Sequence, residues 1–180
     1  MRVITGSARG RKLKTPANYD VRPTTDNVKE SIFNIISFDI EGRRVLDLFA
    51  GTGQMGIEAL SRGAAEAVFV DNSRESLKTV KDNLQLCGFK APVIQSDALA
   101  FIKSSTPFDI IFIDPPYDSG LYIPVLQEIE RFDLLNEGGI IIAESRMDCE
   151  LPELKPPYYL LKEYRYGRIR LTKYTRESSI

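Results

Sequence analysis

Histidine is absent from the 180 residues of this chain. That removes Ser-His-Asp catalysis, imidazole general bases and the commonest transition-metal ligand together. Cysteine occurs only at Cys87 and Cys149, far apart and in no Cys-x-x-Cys pair, so neither a disulfide framework nor a zinc site is indicated. No apolar run approaches the roughly 18 residues that span a bilayer. The opening Met1-Arg2-Val3-Ile4-Thr5-Gly6 also lacks the apolar stretch of a signal peptide. The expectation is a soluble, cytoplasmic protein with no membrane role and no metal, whose chemistry is left to carboxylates, backbone and a cofactor.

Net charge is only -1, but it is unevenly spread. Arg2, Arg9, Arg11, Lys12 and Lys14 fall within residues 1–16 with no acid among them. A second basic run, Lys162, Arg165, Arg168, Arg170, Lys173 and Arg176, is opposed only by Glu163 before Glu177. Either run alone is compatible with a solvated surface. The length suits one compact unit with a continuous core, divided here into an amino-terminal basic extension with a helix (1–40) and a main domain (41–180).

Short, nearly continuous apolar runs recur at Arg44 to Phe49, Ala67 to Asp71, Pro92 to Gln95, Asp109 to Asp114 and Ile140 to Glu144. Such runs suit strands covered on both faces. Helical periodicity fills the gaps at Met55 to Arg62, Arg74 to Leu86, Asp97 to Lys103 and Leu121 to Arg131, with a further helix at Thr24 to Ser37 capped by Thr24 or Thr25. Ser73 suits an N-cap, and Gly63 and Gly88 suit left-handed closing positions. Alternating strand and helix predicts a doubly wound α/β domain with a mostly parallel, Rossmann-like sheet. The runs Tyr158 to Tyr166 and Arg168 to Tyr174, separated by Gly167 alone, predict a closing antiparallel hairpin. That combination is associated with class I methyltransferases.

Gly51-Thr52-Gly53-Gln54-Met55-Gly56 satisfies the dinucleotide pattern G-x-G-x-x-G between a strand and a helix, a string that alone fits NAD as well as S-adenosylmethionine. Asp71, 20 residues after Gly51 and followed by Asn72, stands where an acid accepts from ribose hydroxyls. Asp47 favours an amino-acid-bearing cofactor, because a carboxylate there can face an ammonium and would gain nothing from a pyrophosphate. Its alternative role is to cap the following loop. Asp97, beside Ala98, is placed to accept from an adenine amino group, to cap a helix, or both. Phe49 and Gly53 complete the expected cofactor set.

Asp114-Pro115-Pro116-Tyr117 follows the fourth strand and therefore reaches the carboxyl edge of the sheet, where open α/β sheets bind ligands. Two prolines give a stiff loop that offers acceptors only. With Asp114 and the Pro115 carbonyl each accepting one N–H, an exocyclic amine is oriented for attack on a methyl carbon without a strong base. Tyr117 can stack on an unpaired or flipped base.

The blocks Arg2-Val3-Ile4-Thr5-Gly6, Arg9-Gly10-Arg11-Lys12-Leu13, Arg22-Pro23-Thr24-Thr25-Asp26 and Gly56-Ile57-Glu58-Ala59-Leu60-Ser61-Arg62-Gly63-Ala64, taken with the two motifs, resemble the RsmD-type 16S ribosomal RNA guanine-N2 methyltransferases. The resemblance runs from residue 1 through the Asp-Pro-Pro-Tyr loop and more loosely to the end; Gln54-Met55 depart from the small or apolar residues expected there. It implies a bacterial enzyme that transfers a methyl group from S-adenosylmethionine to N2 of one guanine in 16S ribosomal RNA or the small ribosomal subunit. It also implies Arg9, Arg11, Lys12 and Arg22 as phosphate contacts. A monomer is expected. The rival readings are an adenine-N6 or other nucleic-acid amino methyltransferase, a glutamine-directed protein methyltransferase (where Asn is expected at position 114) and a catalytically silent RNA-binding assembly factor.

Overall fold

The computed structural model describes residues 1–15, 26–116 and 118–178. Among them, the strands β1 (Arg44–Asp47), β2 (Glu66–Asp71), β3 (Val93–Gln95), β4 (Phe108–Ile113), β5 (Leu135–Arg146), β6 (Tyr158–Tyr166) and β7 (Ile169–Arg176) form one sheet in the order β3-β2-β1-β4-β5-β7-β6. The first five strands pair in parallel, and β7 pairs antiparallel with both β5 and β6. The helices are α1 (Asp26–Ile35), α2 (Gln54–Ser61), α3 (Arg74–Cys87), α4 (Ala98–Ser104) and α5 (Tyr122–Arg131).

The apolar runs become strands because both of their faces are covered. Val45, Phe69, Ile110, Phe112 and Ile142 point into one core with α1, α2 and α3, whereas Leu46, Val68, Ile111, Ile113 and Ile141 point into the other with α4 and α5. Successive side chains on opposite faces, each apolar, are what a two-sided sheet requires. Ser73 caps α3 by accepting from the Ser76 N–H at 3.2 Å, and Gly88 closes that helix at φ 77°. The proposed caps Thr24 and Thr25 lie outside the described residues.

β5 begins at Leu135, five residues ahead of the apolar run that marks it in the sequence. Asn136, Glu137, Gly138 and Gly139 have little strand preference of their own. They are drawn in by pairing of Leu135 with Phe108, with a register shift before Ile110. β7 likewise continues past Tyr174 to Arg176, held by pairing with Tyr158.

The amino-terminal stretch folds back on itself and docks on α2. Arg2 bridges Lys12, and Val3, Ala8 and Leu13 are buried in the core shared with α1, α2 and α3. Gly6 lies so close to α2 that a Cβ there would stand 1.7 Å from the Ser61 carbonyl oxygen, and its φ is +84°; only glycine fits. Glu58, fully buried on α2, accepts from the N–H groups of Ile4 at 2.8 Å and Thr5 at 3.0 Å. Its carboxylate also pairs with Arg62 at 2.9 Å and with the buried Lys29 of α1 at 3.7 Å, and Lys29 in turn donates to the Arg2 carbonyl. Ser61 adds a second tie, accepting from the Ala8 N–H and donating to the Thr5 carbonyl.

Candidate active site

The strand order reverses direction between β1 and β4: β2 and β3 lie to one side, β5 and beyond to the other. A crevice opens at such a switch point, outside the carboxyl ends of the two strands. Asp47 ends β1 and Asp114 follows β4, in neighbouring strands paired through Asp47 and Phe112. A cleft of about 400 Å³ occupies this place, within the usual size of a small-molecule site.

Asp47 lies at the floor of the cleft, 3% exposed, and one carboxylate oxygen accepts from the Gly56 N–H at 3.0 Å. Burial drives its pKa up to about 7; the Gly56 hydrogen bond opposes the rise and the neighbouring Asp71 charge adds to it. Asp71 accepts from the Gly51 N–H at 2.9 Å with one oxygen and from the Ser73 N–H at 2.8 Å with the other. It therefore sets the shape of the glycine loop while keeping acceptor capacity on the cleft side. Asp97 caps α4 by accepting from the Ala100 N–H at 3.1 Å and also lines the cleft.

Phe49, Gly51, Asn72 and Ala98 line the same cleft, as do Asp114 and Pro115. Gly53 does not. It sits at the head of α2 with φ 77°, and an added Cβ would come within 3.2–3.3 Å of Val80 and Phe69, so its place is in the close packing of helix against strand and helix rather than on the ligand side. Tyr117 and Arg22 fall outside the described residues. Arg9, Arg11 and Lys12 are exposed on the amino-terminal turn and have no ion-pair partner among the described residues.

Residues not singled out in the sequence also contribute. Gln54 lines the cleft with a buried amide oxygen that finds no hydrogen-bond partner among the described residues, and its unusual polarity at that position was the available signal. Asn83 on α3 is fully buried. Its amide donates to the Thr52 carbonyl at 2.9 Å and the Lys14 carbonyl at 3.1 Å, and accepts from the Lys14 N–H at 2.7 Å. It ties the glycine loop to the basic amino-terminal stretch, and an Asn within a helical period carries no sequence mark of that.

The described lining thus holds four carboxylates, Asp47, Asp71, Asp97 and Asp114, and no lysine or arginine. Such a site rejects a pyrophosphate and suits a ligand with positive charge and several hydrogen-bond donors.

Known proteins agree with this architecture. The chain is 36% identical over 180 residues to Ribosomal RNA small subunit methyltransferase D of Escherichia coli (strain K12), covering 99% of this chain and 91% of that one. It is 44% identical over 173 residues to YlbH of Bacillus subtilis (strain 168), covering 93% and 94% of the two chains. The solved structure of yhhF from Escherichia coli superposes with a TM-score of 0.89 at 35% identity over 99% of both chains. The family model described as Conserved hypothetical protein 95 matches residues 1–175, and the chain belongs to that family, the RsmD type.

Proposed function

We propose that this protein is an S-adenosylmethionine-dependent methyltransferase of ribosomal RNA, and that its target is the exocyclic N2 of one guanine in the 16S RNA of the small subunit. The observation that carries the cofactor is the cleft lined, among the described residues, by four carboxylates and no lysine or arginine. Its donor set fits: Asp47 and the unpartnered Gln54 amide oxygen would hold the methionine ammonium, Asp71 the ribose hydroxyls, and Asp97 the adenine amino group. When bound, S-adenosylmethionine supplies an electrophilic methyl group on a sulfonium. The RNA is carried over from the relatives, one of which is named for the small-subunit ribosomal RNA, and the guanine N2 from the resemblance to the RsmD-type enzymes.

The chain's own part is orientation. The Asp114 carboxylate and the Pro115 carbonyl each accept one N–H of the amine, turning its lone pair towards the cofactor side of the cleft. The nitrogen would gain the methyl group as the bond from that carbon to the sulfonium sulfur breaks, the sulfur keeping the electron pair as a neutral thioether, and the one proton lost from nitrogen passes by way of the Asp114 carboxylate to solvent. Neither step needs a histidine. Tyr117 is assigned the stacking role for the flipped base, and Arg9, Arg11, Lys12 and Arg22 the RNA phosphates.

The test is incubation with labelled cofactor and small ribosomal subunits, or their RNA, from cells lacking this methyltransferase, followed by nucleoside analysis. Label in N2-methylguanosine is the expected result; label in N6-methyladenosine would reassign the base, and none would remove the reading. Asp114→Ala should abolish transfer while still binding cofactor, and full activity in that variant would overturn the assigned role.

A further inference from the structure

The carboxyl-terminal hairpin returns to the active edge of the sheet. β5 runs parallel to β4, so Arg146 ends on the side where Asp114 emerges. Arg146 pairs with Ile169 at the start of β7, and Ile169 pairs with Tyr166 at the end of β6. The tip, Tyr166-Gly167-Arg168, therefore stands at the same edge as the cleft. Two contacts link it, by way of the end of β5, to the catalytic loop. The Met147 N–H donates to the Arg168 carbonyl at 3.1 Å, and Arg146 lies 3.8 Å from Asp118, four residues after Asp114.

The six cations of the hairpin divide by position. Arg170 pairs with Glu163, Lys173 with Asp39 and Arg176 with Asp133. Lys162, Arg165 and Arg168 are exposed and have no acidic partner among the described residues, and two of them flank the tip. Arg165 is moreover set directly opposite Arg170 in the ladder, an arrangement of like charges that lowers hairpin stability. Tyr164 and Tyr166 are half-buried against the core below α1 and α2, and Lys162 lies 5.0 Å from the Tyr164 ring centre. Three exposed cations without an acidic partner among the described residues, at and near the active edge, give a local positive potential that suits a phosphate backbone. At the far end of β6 the exposed residues are instead Tyr159, Leu160 and Leu161.

We propose that the β6–β7 tip is a second RNA-backbone contact, in which Lys162, Arg165 and Arg168 hold phosphates of the strand flanking the target nucleotide. This rests on reading the protein as an RNA methyltransferase. The amino-terminal basic turn docks on α2, over the β1 and β2 side of the sheet, whereas the tip lies beyond β5. The tip therefore stands on the β5 side of the cleft between β1 and β4, at the same edge of the sheet. An RNA strand held at the tip brings a neighbouring nucleotide within reach of Asp114.

The experiment compares the full chain with a Lys162→Gln, Arg165→Gln, Arg168→Gln variant in binding 16S RNA from cells lacking the methyltransferase, across a range of salt concentrations. Loss of three single-strand phosphate contacts lowers the salt slope of log affinity by about two and weakens binding by about tenfold or more at moderate salt. An unchanged thermal midpoint shows that the fold is intact. An unchanged salt slope overturns the proposal, and so does a loss seen on assembled subunits but not on naked RNA, which would assign the tip to an acidic ribosomal protein. Binding is read without turnover, so a wild-type protein that methylates no RNA overturns the function, while a variant that binds like wild type overturns only the second contact.

Discussion

Asp47 is the residue whose chemistry is most constrained by its surroundings. Its carboxyl is held at about 7 by burial, so near neutrality it is only partly ionised until a cation joins it. Pairing with an ammonium requires the ionised form, and cofactor affinity should therefore fall about tenfold per pH unit below about 7 and level off above it. Calorimetric titration across that range checks this, and Asp47→Asn should bind weakly with little pH dependence. The same shift acts on folding with a definite sign. The folded-state pKa lies above the ordinary 3.8, so the ligand-free protein has this stability in full below about 3.8 and loses it as pH rises through about 7. Occupation of the cleft offsets the loss, so stabilisation by cofactor should grow with pH.

At the scale of elements, the amino-terminal stretch, α1 and α2 are joined by one buried polar cluster around Glu58, and α2 itself begins at the glycine loop. Glu58→Gln removes the buried carboxylate that pairs with Lys29 and Arg62, and breaking a buried ion pair typically costs about 3–5 kcal/mol. Urea unfolding should register a loss of that order, and hydrogen exchange should show faster protection loss at the Ile4 and Thr5 amides than at β1. Retention of wild-type stability would remove the cluster from this role. The sheet and its carboxylates were legible in the sequence because their signals are local: apolar runs mark the strands, and Asp47, Asp71, Asp97 and Asp114 sit at fixed offsets from strand ends. Gly53 shows the limit of a motif, since its three glycines look equivalent in sequence yet only Gly51 meets the cleft. Glu58, Ser61 and Asn83 were not legible as connectors, because their partners in the amino-terminal stretch lie 53 to 69 residues away and a surface helix position is not distinguished from a buried one when the covering segment is an irregular turn. The start of β5 was hidden for a related reason, being imposed by its neighbour Phe108.

Taken as a whole, the molecule is a sheet with two apolar layers and a basic segment locked onto one of them. The described residues of that packing share continuous cores on both faces of the sheet, so heat should unfold the chain in a single transition. S-adenosylhomocysteine at about 100 times its dissociation constant adds about 2.7 kcal/mol by mass action, and for a chain of this length the midpoint should rise by roughly 5–10 °C. A second transition that ignores the ligand would show the amino-terminal stretch or the hairpin to be an independent unit. The free edge of the sheet brings the hairpin back into view. Along β6 the register with β7 slips between Leu160 and Lys162, just where the exposed leucines fall, and a strand bent by an extra residue beside a lysine presents no straight row of amides and carbonyls to a passing chain. Leu161 is in effect a guard against templated self-association, which lets the rim of the sheet carry Tyr159, Leu160 and Leu161 exposed.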